Sequence, residues 1–407
     1  WQTIDIDNGE EVELGLRIKL DGTPSVGASN FVWRRNNFVF GSDPIEDEQY
    51  TQADQTYQIK LTVYGTGGQS HFITKTIHVA GGMQFLSALP FPGMAFRPRT
   101  ATVVGNEAWS ISWGNEVGVF RIDDPEHLNT NGDFEIVHVD LPYSPQSISS
   151  YGQHLYIPTN TTSGGVRIYK ADRDNFVEEG QILGPALTGS KASAAVVVGG
   201  ALYVGVFNEP RVLVYNLSNP LSPALAATLT FDHPVWSMTP TAGDVLGVRH
   251  PDTGYGGWRL SVVDVRAPLS PSIVGSPIQM PSLAGVAVPS AAGNLVVAPD
   301  VEGLGIVETN FGTGGSPIAE IASMVLPNYQ QYVATNSNLM STGTGNDGYY
   351  RVFKYNIVDP HDPYYMTELG AGGSDIPSGY SFVAEVPGQG ELLFVGLQAN
   401  GFSAYRP

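Results

Sequence analysis

The residues best suited to chemistry lie close together between positions 233 and 258. They are His233, Trp236, Arg249, His250, Asp252, Tyr255 and Trp258. Histidine and tyrosine can move protons, and an indole can stack on the apolar face of a sugar ring. The cluster is therefore a candidate catalytic or sugar-binding site. The alternative is a long loop in which Trp236 serves only for packing.

Other active-site motifs are weak or missing. The stretch "DDPEHLNTNGD" at 123–133 offers Asn129, Asn131 and Asp133 as oxygen ligands for Ca²⁺, but it lacks the EF-hand order and its terminal Glu, which favours a solvated turn. There is no P-loop, no G-x-G-x-x-G in the strand-to-helix context that dinucleotide binding requires, and no G-x-S-x-G elbow. Cysteine is absent, which excludes disulfides, thiolate metal sites and cysteine nucleophiles. The sequence predicts no cofactor and no metal, and it favours a non-enzymatic role.

The charge of the chain narrows the class of partner. A net charge of −19 argues against a surface for nucleic acid or anionic membrane, because both require clustered Lys and Arg. The most apolar stretch, 192–207, is shorter than the ~20 residues of a spanning helix and carries Gly199-Gly200 at its middle. We interpret it as two strands and a tight turn, and we expect no membrane insertion.

A segment with an apolar strand and a proline break recurs along the chain. Copies include "VGVFRIDDPEHL" at 117–128, "RVLVYNLSNPLSP" at 211–223 and "RLSVVDVRAPLSP" at 259–271. Seven equivalent positions follow one another in steps of 49, 46, 48, 44, 48 and 50 residues, and they are Phe120, Tyr169, Tyr215, Val263, Val307, Tyr355 and Tyr405. A turn with Gly or Asn before an apolar run recurs out of phase with this segment, as hairpins require. This near-constant spacing indicates a structural repeat.

One period, 190–232, contains four short apolar runs bounded by Gly, Pro and Asn, without helical periodicity. Four antiparallel strands per period correspond to one β-propeller blade, so the sequence predicts an all-β fold with seven blades over 82–407. The last copy ends after its third strand, and a fourth-strand pattern stands before the first period. We therefore predict that residues 83–89 pair with 401–405 and close the ring.

The stretches "APDVEGLGIVETNF" at 298–311 and "VYNLSNPLSP" at 214–223 resemble the LVIVD repeat. This is a bacterial propeller family whose blades carry a small polar turn, then G-L-x-I-V-D, then N-P-x-x-P. The resemblance covers 83–407. It implies an extracytoplasmic or surface-displayed propeller and assigns no catalytic residue.

Residues 1–81 differ from the repeat. The stretches "EVELGLRIKL", "NFVWRRN" and "HFITKTIHVAG" alternate apolar and polar residues, as half-exposed antiparallel strands do. The stretch "QTYQIKLTVYGTGGQ" resembles the Y-x-V-x-L-T-V pattern and Gly-rich hairpin of PKD and related immunoglobulin-like modules, which implies that Trp33 is the core tryptophan. The sequence predicts an N-terminal Ig-like (PKD-like) β-sandwich, with Gly81-Gly82 as the hinge to the propeller.

In a propeller, the segments that lead into each blade share one face with the loops between second and third strands. On that face the repeat places further candidate ligand-binding residues, namely Arg97, Arg99, Lys191, Tyr329 and Tyr380. Together with the cluster at 233–258, which falls in blade four, they make a polar and aromatic surface suited to a glycan or peptide.

These observations lead to three functional hypotheses. We expect first a non-enzymatic extracellular, cell-surface or virion-displayed module that binds a glycan or a protein on the propeller face, or that has a structural role. The second hypothesis is a carbohydrate-active enzyme, either a polysaccharide lyase or a hydrolase, that uses blade four. An Arg, His and Tyr set on a propeller face is similar to that of polysaccharide lyases, where Arg offsets the uronate charge. The third is a subunit of a larger extracellular or virion assembly that self-assembles through its N-terminal domain.

Overall fold

A computed structural model of the protein describes the backbone of residues 2–3, 10–13, 17–49, 56–80, 84–89, 96, 98–128, 134–138, 141, 145, 147–162, 165–183, 187, 189–207, 209–240, 245–251, 258–280, 290–292, 295–300, 303–309, 318–325, 330–335, 338–344, 350–356, 364–370, 377–386, 388–397 and 401–406. Every regular element in these ranges is a β-strand, so the predicted all-β class is confirmed. Over the same ranges, no helix has the length and apolar character needed to cross a membrane.

The chain forms two compact units. The first comprises Trp1–Gln84 with Lys354–Asn356 and Tyr364–Glu368, and the second comprises the remaining residues. The N-terminal segment of the first unit ends at Gln84, and Gly81-Gly82, where the sequence predicts the hinge, lie outside the described residues.

The N-terminal strands form two sheets. One sheet has the strand order Gln2–Thr3, Arg17–Asp21, Ile45–Gln49. The other has the order Glu10–Glu13, Ser70–Ala80, Thr56–Gly65, Ala28–Arg35, Phe38–Gly41.

A shared hydrophobic cluster joins these two sheets. Ile18 and Leu20 come from the smaller sheet, and Trp33, Ile59, Leu61, Ile77 and Val79 come from the larger one. Each strand contributes alternate residues to the cluster because successive side chains point to opposite faces of a sheet. The indole Nε1 of Trp33 donates a hydrogen bond to the carbonyl of Asp43 at 2.9 Å, which meets the only polar need of a buried tryptophan.

The rest of the described chain contains seven four-stranded sheets, which we number I to VII along the chain. Sheets I to III consist of Pro98–Val104, Glu107–Ser112, Val117–Arg121 and Glu135–His138 (I), of Ser149–Tyr151, His154–Pro158, Val166–Lys170 and Glu178–Ile182 (II), and of Ala192–Val198, Ala201–Val206, Arg211–Asn216 and Ala224–Thr230 (III). Sheets IV and V consist of Ser237–Pro240, Val245–Pro251, Trp258–Asp264 and Ser272–Met280 (IV), and of Ser290–Ala292, Leu295–Asp300, Gly303–Thr309 and Ile318–Val325 (V). Sheets VI and VII consist of Gln330–Thr335, Asn338–Thr344, Tyr350–Asn356 and Tyr364–Gly370 (VI), and of Pro377–Val386, Gly390–Leu397, Gly401–Arg406 and Gln84–Leu89 (VII).

Sheet III shows how one period of sequence makes one sheet. Its first two strands pair from Val198↔Ala201 outward across a turn in which Gly199 and Gly200 have φ of 54° and 78°. Glycine adopts this left-handed conformation without the steric cost that a Cβ would add. The outer strand carries a β-bulge at Ala226, which interrupts its register with the third strand. The four-stranded antiparallel sheet repeated in this way is the unit of a β-propeller.

Sheet VII takes strands from both ends of the sequence. Its fourth strand, Gln84–Leu89, is hydrogen-bonded to Gly401–Arg406, which is the pairing that the phase of the repeat predicts. Phe382, Phe394 and Phe402 of this sheet pack around Phe120 of sheet I, and the Phe120 and Phe402 ring centroids are 4.7 Å apart. A strand from the start of the propeller region thus completes the last sheet, and aromatic packing joins that sheet to the first.

Hydroxyl groups join the innermost strands of neighbouring sheets. Ser147, which precedes sheet II, and Ser149 of its first strand accept hydrogen bonds from the backbone N–H groups of Ala195 and Val197 of sheet III, at 2.9 and 3.0 Å. Ser193 of sheet III donates to the carbonyl of Val235, which leads into sheet IV, at 2.8 Å. The first strand of a sheet has no strand partner on its inner edge, so these side chains satisfy backbone groups that would otherwise need water.

Candidate binding face

The two ends of the sheets carry different connections. At one end, which we call the loop end, the second strand passes to the third and the chain enters the first strand of each sheet. At the other end, the turn end, the first strand turns into the second and the third passes to the fourth. All the described residues that the sequence predicts to be ligand-binding lie at or near the loop end. Each of them precedes a first strand or lies near its beginning, lies near the end of a second strand, or begins a third strand.

Three aromatic side chains form a cluster at the loop end of sheets III and IV. The ring centroids of Phe207 and Trp236 are 5.3 Å apart, and those of Trp236 and Trp258 are 5.6 Å apart in an edge-to-face arrangement. Trp236 keeps 38% of its surface exposed, although it packs against a ring on either side. We call Phe207, Trp236 and Trp258 the aromatic cluster.

Backbone pairing fixes the positions of these rings. The N–H of Trp236 donates to the carbonyl of Arg249 at 2.9 Å, and the N–H of Phe207 donates to the carbonyl of Lys191 at 2.8 Å. Trp258 begins the third strand of sheet IV and pairs with Pro251 at the end of the second. The aromatic cluster is therefore attached to sheet edges rather than to a long free loop.

Arg249 lies beneath this cluster. Its side chain is completely buried, and the guanidinium carbon Cζ is 3.7 Å from the centroid of the Trp258 ring. A cation over an aromatic face is attracted by the ring quadrupole, and the attraction is worth about 2 kcal/mol where water is excluded. Arg249 thus holds the indole of Trp258 from behind and cannot itself reach a ligand at the surface.

His250 is enclosed by the core. Its Nδ1 lies 3.0 and 3.1 Å from the carbonyl oxygens of His233 and Pro234, and its Nε2 lies 3.0 Å from the hydroxyl of Ser261. A carbonyl only accepts, so Nδ1 carries the proton and Nε2 accepts from Ser261. Burial lowers the pKa of His250 to about 4, which keeps the imidazole neutral at pH 7. Both ring nitrogens are occupied by the protein, and the side chain has the environment of a packing histidine.

The remaining sequence-predicted residues are placed as follows. His233 and Lys191 are half-buried next to the segments that enter sheets IV and III. Asp252, Tyr255, Arg97 and Tyr329, together with Asn129, Asn131 and Asp133, lie outside the described residues, and Tyr380 lies in the first strand of sheet VII.

Arg99 belongs to a second aromatic feature at the loop end. Its Cζ is 4.0 Å from the ring centroid of Trp113, and its Nη1 donates to the carbonyl of Pro145 at 3.0 Å. Trp113 follows the second strand of sheet I and is 44% exposed. Sequence analysis selects Arg99 but neither Trp113 nor Phe207, although both lie in connections between second and third strands.

No group of three or more His, Asp or Glu side chains is placed to hold a metal ion within the part of the chain that the structure describes. What the loop end offers is aromatic surface backed by guanidinium groups. Such a surface can stack on a ring or pack on an apolar ligand, and His250 has both ring nitrogens bonded within the protein.

Comparison with known proteins defines the fold. No family model and no curated protein sequence matches the chain. Among solved structures, the chain is similar to the WD40 repeats of RRP9, with a TM-score of 0.52 and 11% identity over 80% of this chain and 97% of that one. It is also similar to a catalytically inactive virginiamycin B lyase from Staphylococcus aureus with quinupristin, with a TM-score of 0.53 and 12% identity over 80% and 100% of the two chains. A chain of the mitotic checkpoint complex gives a TM-score of 0.55 and 14% identity over 79% and 91%.

These likenesses show a β-propeller. At such low identity they carry no information on activity, because one fold hosts many functions.

Proposed function

We propose that this protein is a non-enzymatic binding propeller, displayed outside the cell or on a virion, that holds a glycan on the aromatic cluster. The observation that carries the proposal is the partial exposure of Trp236 in a position fixed by Phe207 and Trp258. A large apolar ring kept rigid at the surface is typical of an anchor in a binding site.

The proposed architecture is the one that the repeat spacing and the resemblance to known modules indicate. Sheets I to VII are proposed to be seven blades of the LVIVD-like kind, closed by the pairing of 84–89 with 401–406. The N-terminal pair of sheets is proposed to be an Ig-like module of the PKD type. A rigid ring that presents one face to the outside suits a display function.

The chemistry of sheet IV supports binding over catalysis. A general base must reach the proton that it removes, and its pKa should lie near the working pH. His250 is buried, is bonded at both ring nitrogens and has its pKa lowered to about 4. A ring fixed in this way packs against Phe231 and is bonded within the protein at both nitrogens.

The proposal is tested with a glycan array and with quenching of tryptophan fluorescence by the array hits. Trp236→Ala should weaken binding by about ten-fold or more, since truncation of a tryptophan anchor commonly costs over 1 kcal/mol. Tyr151→Ala is the matched control, because Tyr151 is also 38% exposed but lies at the turn end of sheet II.

A parallel assay for product release addresses the enzymatic alternative. Glycan retention without product supports the proposal. Release of reducing ends or unsaturated sugars that is sensitive to Trp236→Ala would instead favour a carbohydrate-active enzyme. Wild-type protein that binds no glycan would refute the proposal.

A further inference from the structure

Trp113 stands on a turn that is unusually well fixed. The turn 112–116 is closed by a backbone hydrogen bond from Ser112 N–H to the Glu116 carbonyl at 2.9 Å. The hydroxyl of Ser112 also accepts from the N–H groups of Gly114 and Glu116 at 3.0 and 3.1 Å and donates to the Glu116 carboxylate at 2.7 Å. Asn115 has a φ of 66°, a conformation that asparagine tolerates better than most residues. This turn presents an indole, 44% exposed, with little conformational freedom left to lose on binding.

Arg99 holds this indole from one side, as Arg249 holds Trp258. The Cζ-to-centroid distances are 4.0 Å for Arg99 over Trp113 and 3.7 Å for Arg249 over Trp258. Arg99 is itself fixed by its hydrogen bond to the carbonyl of Pro145, which precedes sheet II. An arginine-backed tryptophan therefore occurs twice at the loop end, once in sheet I and once in sheet IV.

We infer that Trp113 is a second stacking subsite, and that the protein binds a neutral glycan polymer which contacts both Trp113 and the aromatic cluster. This inference rests on the proposed function, which it extends from one sugar ring to a chain. Packed sheets lie about 10 Å apart, so two to three sheet-to-sheet steps separate Trp113 from the aromatic cluster by roughly 20 to 30 Å along the ring. Only an extended ligand can occupy both.

The charges favour a neutral chain over an acidic one. The protein carries a net charge of −19, which repels polyanions. The two guanidinium groups are directed at indole rings, and Arg249 is completely buried. Arg211 near Phe207 is paired with Glu209 at 2.7 Å. These three guanidinium groups are thus engaged within the protein and are not directed at a uronate.

The test compares polymers with their short fragments. Amylose and mixed-linkage β-glucan serve as neutral probes and alginate as the acidic probe, each as the polymer and as its trisaccharide. Binding is measured for wild type, Trp113→Ala, Trp113→Phe, Trp236→Ala and Tyr151→Ala, with the thermal midpoint of each variant as a check on folding.

We expect Trp113→Ala to weaken binding of a neutral polymer by about ten-fold or more and to leave trisaccharide binding within about two-fold, because loss of one linked contact removes avidity. Trp113→Phe should restore most of the polymer affinity, and Trp236→Ala should weaken both ligand lengths. Equal polymer affinity of wild type and Trp113→Ala, with Trp236→Ala still weakened, would overturn the second subsite and leave the proposed function intact. Alginate bound as tightly as the neutral polymers would overturn the neutral class. No glycan binding by wild type would overturn both proposals.

Discussion

The turn end of the sheets carries a hydrogen bond that repeats between neighbouring sheets, whereas the loop end carries the aromatic side chains. At the turn end one contact recurs: the hydroxyl of Tyr156 in sheet II donates to the carbonyl of Pro220 in sheet III at 3.1 Å, and Tyr203 in sheet III donates to Pro268 in sheet IV at 2.7 Å. The hydroxyl of Ser87 in sheet VII donates to the carbonyl of Pro125 in sheet I at 2.7 Å. The proline in the break of sheets I, III and IV therefore supplies a carbonyl that accepts a hydrogen bond from a hydroxyl of the preceding sheet.

At the loop end, the described residues make no tyrosine-to-proline contact of this kind. Trp113 on the turn of sheet I packs against Arg99, whereas Trp236 packs between the rings of Phe207 and Trp258 across sheets III and IV. The repeated sequence in this protein therefore corresponds to contacts between sheets, and ligand-specific features are expected where the sequence departs from the repeat.

Sheets I and II show that the turn-end contact can change its chemistry. Trp109 occupies the position of Tyr156 and Tyr203, and sheet II has Phe176 in its break instead of proline. The two rings stack with centroids 5.8 Å apart, and the indole nitrogen of Trp109 has no hydrogen-bond partner within the described residues. Aromatic stacking thus replaces a hydroxyl-to-carbonyl hydrogen bond, and the two sheets remain joined.

The largest expected difference between packing residues and loop-end residues concerns Phe402. Its side chain is fully buried among Phe120, Phe382 and Phe394, where sheet VII meets sheet I. Phe402→Ala should lower the free energy of unfolding by about 3–5 kcal/mol, because it removes apolar contacts and leaves a cavity. Urea denaturation measures the change, and Trp236→Ala serves as the loop-end comparison with an expected loss under about 1 kcal/mol. Similar losses for the two variants would contradict the division into packing and binding residues.

The next largest effect is a dependence of stability on pH, and it tests whether His250 is a packing residue or a loop-end residue. Burial lowers the pKa of His250 from 6.5 to about 4, so the folded state favours the neutral ring. The contribution of neutral His250 to the free energy of unfolding is complete above pH 6.5. It is lost as the pH falls from 6.5 to 4, because protonation of the histidine then favours the unfolded chain. At about 1.4 kcal/mol per pKa unit, the loss between pH 7 and pH 4 approaches roughly 3 kcal/mol.

Urea denaturation at pH 7 and pH 4 measures this loss, and His250→Gln removes the titrating group while the carboxylates stay. The difference between wild type and variant should therefore shrink towards pH 4. A difference that does not depend on pH would mean that His250 is open to solvent and belongs with the loop-end residues.

Much of the fold was predictable because packing imposes a period. The spacing of equivalent positions such as Tyr215 and Val263 predicted the four-stranded sheets. The phase of the last copy predicted that 83–89 pair with 401–405, and the observed strands are Gln84–Leu89 and Gly401–Arg406. The alternation along "VLGVRHP" also indicates that His250 is a core residue. Leu246 and Val248 face the core, and His250 shares their face, two residues further on.

The site was less predictable, because residue type alone selected its members. Trp236, Arg249 and Trp258 were selected as a group because they lie close together in sequence. The sequence places the loops of Trp113 and Phe207 on this face but does not single out the two residues, because one aromatic residue in a short connection has no period and no neighbour of matching type. Only the fold shows that Arg99 lies over Trp113, and that Phe207 of sheet III contacts Trp236.

The smallest effect tests the turn-end contact itself. Tyr203→Phe keeps the ring and removes only the hydroxyl that donates to Pro268, so we expect a loss of about 1 kcal/mol in the free energy of unfolding. Tyr156→Phe should cost a similar amount, and the double variant should show additive losses within about 0.5 kcal/mol, since the two hydrogen bonds join different pairs of sheets. Tyr151→Phe is the control, because this exposed ring has no hydroxyl hydrogen bond among the described contacts. If Tyr203→Phe and Tyr156→Phe matched the control, the proline break would be a turn signal only, and the repeated sequence would not report contacts between sheets.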